Sequence, residues 1–256
     1  MLKAYYWTRG VLAMIIGWPF TVIAWLFVFV ILLPLPRSLR YDVIAPLARL
    51  WGRAVLWFIG IRMVQENPST MTEPAARVMI INHPATLDVV WAAAILPPRC
   101  FGIGKRELMY IPFFNLVWYI LGFVFLDRGN SQEAIRDLER VYARMHNERL
   151  TVMLAPEGTR SKDGSMGPFK KGAFQLAMHA RVKIHPIVVA GAYECMPKHR
   201  FVPFPGEIRI RYLEPIDTKE WSADHLDEHI EAVRQSMNEN YISMSQMVAK
   251  IRADTM

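Results

Sequence analysis

Val11 to Leu33 is a run of twenty-three residues without a single charge. At 1.5 Å per residue a helix of that length reaches across a hydrocarbon core of about 30 Å. No other stretch limits the fold so strongly, because a helix that is apolar all round needs lipid or a large protein core around it. A secretory signal would have a shorter apolar segment and a small-residue cleavage site. Here Pro34-Leu35-Pro36 follows instead. A buried core helix is the remaining soluble reading, and uncharged runs of this length are rare in soluble cores. Lys3 and Arg9 precede the run, and Arg37, Arg40, Arg49 and Arg53 follow it. Both flanks are therefore basic, and the positive-inside tendency sets no orientation by itself. Residues 41–61 place Val43, Ile44, Leu47, Leu50, Trp51 and Leu56 at mostly helical spacing. A helical hairpin held in one leaflet fits these features at least as well as a single span, and we expect the hairpin.

Apolar residues make up 53% of the chain, and the formal net charge is +7. Such a balance suits membrane lipids with anionic headgroups, or anionic substrates. No nucleic-acid motif occurs, so no nucleic-acid partner is expected. The two cysteines, Cys100 and Cys195, are too few for a disulfide framework.

Asn67-Pro68-Ser69-Thr70 is a linker-like break. We expect residues 1–61 to form the N-terminal membrane anchor and 62–256 the second domain. Beyond the break, strand-like and helix-like runs alternate. Strands are expected at 78–81, 121–126, 152–155, 183–190 and 207–213. The last alternates apolar and polar residues, as an exposed edge strand would. Helices are expected over 86–96, 131–147, 172–180 and 224–252, the second opening on Asn130 and Glu133 in capping-box spacing. The fold class is α/β: a mixed central sheet flanked by helices, with the N-terminal membrane-associated helical hairpin.

Residues 79–88 read M-I-I-N-H-P-A-T-L-D. A strand hands over to a helix at Asn82-His83-Pro84, so His83 and Asp88 can converge across the turn. A carboxylate on one imidazole nitrogen fixes the tautomer and leaves the other nitrogen to take a proton. On spacing alone, His83 could equally end a strand while Asp88 complements a helix dipole. Residues 156–161 read P-E-G-T-R-S after another strand-like run. Taken alone, that loop reads as a turn with a surface salt bridge.

The sequence N-H-x-x-x-x-D followed by P-E-G-T-R-S resembles the glycerolipid acyltransferase family, whose members include the 1-acyl-sn-glycerol-3-phosphate (lysophosphatidic acid) acyltransferases. Gly104-Lys105-Arg106-Glu107-Leu108, with Ile111-Pro112-Phe113-Phe114 and Phe125-Leu126-Asp127-Arg128, is similar to the family's second block, and His185-Pro186-Ile187 lies at its fourth. The likeness covers about residues 60–215. It departs at Ala155, where Phe is common, and at His185, where an apolar residue is usual.

Acyl transfer to a hydroxyl requires a base for the attacking oxygen and donors for the developing oxyanion. No G-x-S-x-G elbow occurs, and neither cysteine has a motif histidine nearby. Direct attack by the acceptor is thus expected, with His83 as base and Asp88 as its orienter. The resemblance implies the same roles. It also implies that Glu157, Gly158, Thr159 and Arg160 bind substrate, Arg160 gripping phosphate through its two-pronged guanidinium. Lys105 matches the second block as a phosphate or thioester contact, and reads equally as a solvated lysine. Arg106, Arg128, Lys170 and Lys171 are further cationic candidates. His185 is read as structural. No metal is expected, since no set of His, Cys and acidic ligands accompanies the dyad. The resemblance implies lysophosphatidic acid as the acceptor; the alternatives are another lysolipid or glycerol 3-phosphate, or a non-catalytic lipid-binding membrane protein. The donor substrate is acyl-CoA or acyl-carrier protein (acyl-ACP), with no separate cofactor. Such donors are made in the cytosol and are too polar to cross a bilayer. The expected setting is therefore a membrane surface, a bacterial inner membrane, with the catalytic domain facing the cytoplasm.

Overall fold

The computed structural model describes residues 2–105, 124–126, 131–197 and 200–255. The chain begins with two long helices, α1 (Leu2–Leu32) and α2 (Arg37–Ile59). Among the described residues seven strands follow: β1 (Ile61–Glu66), β2 (Arg77–Ile81), β3 (Cys100–Lys105), β4 (Val124–Leu126), β5 (Thr151–Leu154), β6 (Ile184–Ala190) and β7 (Gly206–Tyr212). Between and after them lie α3 (Asp88–Ala94), α4 (Ser131–Asn147), α5 (Gly172–Ala180), α6 (Ala192–Cys195) and α7 (Leu226–Thr255).

The strands form one mixed sheet in the order β1-β7-β6-β2-β5-β3-β4. β6, β2, β5, β3 and β4 are mutually parallel, β7 runs antiparallel to β6, and β1 is parallel to β7. The parallel strands therefore present their carboxyl ends together, where α/β sheets bind their ligands. The alternating strand β7 is not at an edge, as its pattern suggested; it lies between β1 and β6. Its alternation has another cause. Ile208, Ile210 and Tyr212 are buried on one face, while on the other Arg211 bonds Glu66 and Asn240. β1 and β3 have no clear periodicity and were not expected as strands.

Both faces of the sheet are covered, which explains the unbroken apolar run in β2. Val78 and Ile80 join a core with Val141 and Met145 of α4, Phe174 and Leu176 of α5, and the α7 stripe through Met237 and Met244. Met79 and Ile81 face the opposite way, into a core with Leu56 of α2 and Trp91 of α3. Each fully buried aliphatic side chain contributes about 1.5–3 kcal/mol before the cost of ordering the chain.

α2 is held against this second face. A Cβ on Gly52 would lie 2.6 Å from both Ala94 N and Val90 O, so only glycine lets α2 and α3 approach this closely. At its other end Asp42 pairs with Arg99 at 2.9 Å, and Arg144 donates to the Tyr41 hydroxyl. The hairpin turn lies at this end, at the amino edge of the parallel strands. Its carbonyls are not left bare: Arg40 donates to Leu35 O at 2.8 Å and to Leu33 O at 3.3 Å. α1 packs on α2 through Trp25–Trp51 and Phe20–Phe58 ring contacts. Ile15, Ile16, Trp18, Ile23, Phe27 and Val30 of α1 remain exposed. Among the described residues α1 is the one helix long and apolar enough to cross a membrane. Its apolar outer face makes it a membrane-associated helix, laid along α2 rather than enclosed by the protein.

Candidate active site

β2 ends at Ile81, and the chain turns sharply to start α3 at Asp88. Asn82 secures the turn. Its amide donates to Val189 O at 2.9 Å and accepts from Val189 N–H at 2.7 Å, so the side chain continues the β2–β6 ladder in place of backbone. Asn82 is buried and was expected only as a turn former.

His83 follows. Its Nδ1 bonds Asp88 Oδ2 across the turn. Asp88 is 3% exposed in its side chain, and His83 is 29% exposed. The same carboxylate is fixed from other directions: Ala85 N–H donates to Oδ2 at 3.0 Å, and the Trp91 indole N–H donates to Oδ1 at 2.7 Å. An acceptor surrounded by donors favours the tautomer with the proton on Nδ1. Nε2 then keeps its lone pair, on an imidazole that is partly exposed. Trp91, fully buried in α3, has no signal as a site residue in the sequence, because a buried tryptophan three residues along a helix reads as core.

The loop after β5 clamps the backbone of His83. Glu157 Oε2 accepts the His83 N–H at 2.7 Å, and Ser161 N–H donates to His83 O at 2.9 Å. Burial pushes the Glu157 carboxyl up to about 7, opposed by the hydrogen bond and charge of His83 and reinforced by Asp88. Gly158 sits at φ +71°, a left-handed conformation that side chains rarely adopt, and a Cβ there would lie 2.8 Å from Lys170 Nζ. Lys170 is itself tied to the loop by its N–H to Pro156 O at 2.8 Å. Thr159 and Arg160 are exposed at the tip. Arg160 Nη1 donates to Thr86 Oγ1 at 3.0 Å, which draws the guanidinium to the His83 turn.

The structure thus brings together His83, Asp88, Glu157, Gly158, Arg160 and Lys170, with Asn82, Thr86 and Trp91 added. Lys105 ends β3, two strands from β2 at the same end of the sheet; its side chain lies outside the described residues. Arg106, Arg128, Asp127 and the 111–114 segment also lie outside them. Lys171 is directed elsewhere, pairing with Asp227 at 2.7 Å. His185 is buried in β6 with Nδ1 unpartnered, and burial together with Arg77 and Lys183 pushes it down to about 4, so it stays neutral at pH 7. Cys100 and Cys195 are buried, and burial pushes both thiols up to about 12, which leaves no thiolate nucleophile at neutral pH. Among the described residues no group of three or more His, Cys, Asp or Glu converges as a metal site.

Residues 62–190 match the family model described as Acyltransferase. The chain is 34% identical over 182 residues to the mouse 1-acyl-sn-glycerol-3-phosphate acyltransferase alpha, an alignment covering 71% of this chain and 64% of that one. It is 31% identical over 193 residues to the human beta form, covering 75% and 69%. The crystal structure of the 1-acyl-sn-glycerophosphate (LPA) acyltransferase PlsC from Thermotoga maritima superposes with a TM-score of 0.74 at 25% identity, covering 93% of this chain and 97% of that one.

Proposed function

Because this chain belongs to the acyltransferase family, we propose that it moves a fatty acyl group from a thioester to the sn-2 hydroxyl of 1-acylglycerol 3-phosphate, giving phosphatidic acid. The observation that carries the proposal is the His83–Asp88 pair with Arg160 drawn onto Thr86 beside it. In this reading Nε2 of His83 takes the hydroxyl proton as the oxygen attacks the thioester carbonyl. A new C–O bond forms, the C–S bond breaks, and the thiolate leaves with the proton that His83 returns. No acyl group rests on the protein at any stage.

Asp88 holds the imidazole in the productive tautomer and stabilises the imidazolium that forms. Arg160 and Lys170 supply positive charge for the acceptor phosphate, the guanidinium as a fork and the ammonium as a point charge. Gly158 and Thr159 shape the loop that carries them, and Lys105 adds charge from the next strand. Glu157 acts beneath the substrate, holding the His83 backbone rather than touching lipid. The donor is acyl-CoA or acyl-ACP, and the site faces the cytoplasm, where either is available. α1 then lies along one leaflet, its basic flanks beside anionic headgroups, each cation near the surface contributing about 1 kcal/mol.

Purified protein assayed with labelled acyl donor against 1-acylglycerol 3-phosphate, a lysophosphatidylcholine and glycerol 3-phosphate tests the acceptor. The phosphomonoester lysolipid should be used at least ~100-fold faster than the choline ester, since a charge pair is lost with the latter. Preference for either alternative would reject this acceptor while leaving acyl transfer in place. Arg160→Ala should raise the acceptor KM about 10- to 100-fold and leave the donor KM within about twofold, the size of a charged hydrogen-bonded contact. Arg160→Lys should recover only part, because the fork is gone. Equal damage to both KM values would count against a phosphate clamp.

A further inference from the structure

Phe201 is 83% exposed, more than any other large apolar side chain among the described residues. It lies in the loop between α6 and β7. That loop joins the carboxyl end of β6 to the start of its antiparallel neighbour, so it stands at the end of the sheet where His83 lies. Two contacts fix it there. Thr86 N–H donates to Met196 O at 3.3 Å, and Phe204 N–H donates to Cys195 O at 2.8 Å.

The same loop is pressed against the start of α1. A Cβ on Gly10 would lie 2.3 Å from Pro203 O and 2.7 Å from Val202 Cγ1, so helix and loop meet backbone to backbone. Trp7, one turn earlier in α1, is 57% exposed, and Trp57 near the end of α2 is 70% exposed. Arg9 links the two helices here through Nη2 to Trp57 O at 3.4 Å. On the loop, the exposed Arg200 guanidinium lies 4.4 Å from the centre of the Phe204 ring. The apolar face of α1 thus continues, through aromatic side chains with an arginine among them, onto a loop that touches the catalytic turn.

We propose that the 200–204 loop is a second bilayer-contacting element, in which Phe201 enters the headgroup–acyl boundary and Arg200 meets lipid phosphate. Aromatic side chains favour that boundary, and a cation beside them is attracted to an anionic leaflet. The continuity with α1 selects a bilayer as the occupant over a protein partner. Contact at this point sets the mouth of the site at the lipid surface, so that a lysolipid reaches His83 without leaving the membrane. The proposal rests on the reading of α1 as the helix lying on lipid.

The test uses the full chain with Phe201→Cys carrying an environment-sensitive fluorophore; Val22→Cys on the outer face of α1 serves as reference. Cys100 and Cys195 are buried, so the label goes to the introduced thiol. Vesicles of phosphatidylglycerol and phosphatidylethanolamine should shift both probes to the blue, and brominated acyl chains should quench both. Quenching at position 22 without quenching at 201 overturns the proposal. Quenching at 201 without quenching at 22 supports the loop and rejects the α1 reading. A blue shift at 201 that grows with protein concentration in the absence of vesicles assigns the surface to a second copy and overturns it. As a second measure, Phe201→Ser should lower activity on a long-chain acceptor in vesicles about tenfold, as loss of one buried aromatic predicts, and leave a monodisperse short-chain acceptor unaffected. Equal loss on both acceptors also overturns the proposal.

Discussion

His83→Ala is expected to lower kcat by at least ~10²-fold, the lower range for removing a positioned general base. The fold should survive the change. The imidazole is partly exposed, and the turn is held through His83 backbone groups, which alanine keeps: N–H to Glu157 and C=O from Ser161. KM values should change little, because the proton is taken only as the hydroxyl attacks. Near-normal turnover in this variant would remove His83 from the chemistry.

Asp88→Asn should be more damaging than its small change in shape suggests. The carboxylate accepts from Nδ1 of His83, from Ala85 N–H and from the Trp91 indole. An amide offers one acceptor oxygen and turns an NH2 group toward one of those donors. Either the imidazole takes the other tautomer, with its lone pair on Nδ1, or the Ala85 and Trp91 contacts break. The analogous substitution in a Ser-His-Asp triad costs about 10⁴ in kcat for the first reason, and a loss of ~10³-fold or more is expected here. Trp91→Phe removes one donor and keeps most of the apolar volume. It should lower kcat about tenfold, the equivalent of one hydrogen bond to a charged group. Circular dichroism and thermal melting would check that both variants remain folded. An Asp88→Asn enzyme within about tenfold of normal would mean that the carboxylate serves packing alone.

The parts of this molecule legible in its sequence are those with a period or a motif. β2 and β6 read as buried strands because apolar residues occupy both faces. α7 reads as an amphipathic helix because Ile230, Val233, Met237, Tyr241 and Met244 repeat at helical spacing and are buried. The pairing of His83 with Asp88 follows from a turn at Asn82-His83-Pro84. β1 and β3 could not be read this way. β1 holds polar residues such as Arg62 and Gln65 on an edge, and β3 carries two glycines. The position of β7 is not legible in its pattern, because alternation reports which face is buried, not which edge is free. The site roles of Asn82, Thr86 and Trp91 are not legible in the sequence: Asn82 and Thr86 act through hydrogen bonds to Val189 and Arg160, far away along the chain, and a buried Trp91 reads as core. The contact of Glu157 with the His83 backbone is not legible in the sequence, because it needs the fold to bring β5 beside β2.

Direct attack by the acceptor requires that no covalent acyl-protein forms. Rapid-quench single turnovers with radiolabelled acyl donor test this most directly, with precipitated protein counted separately from lipid. With donor alone the protein should carry no label, and after acceptor is added the label should pass straight to phosphatidic acid. An acyl-protein that forms with donor alone and discharges into phosphatidic acid as fast as turnover would contradict it.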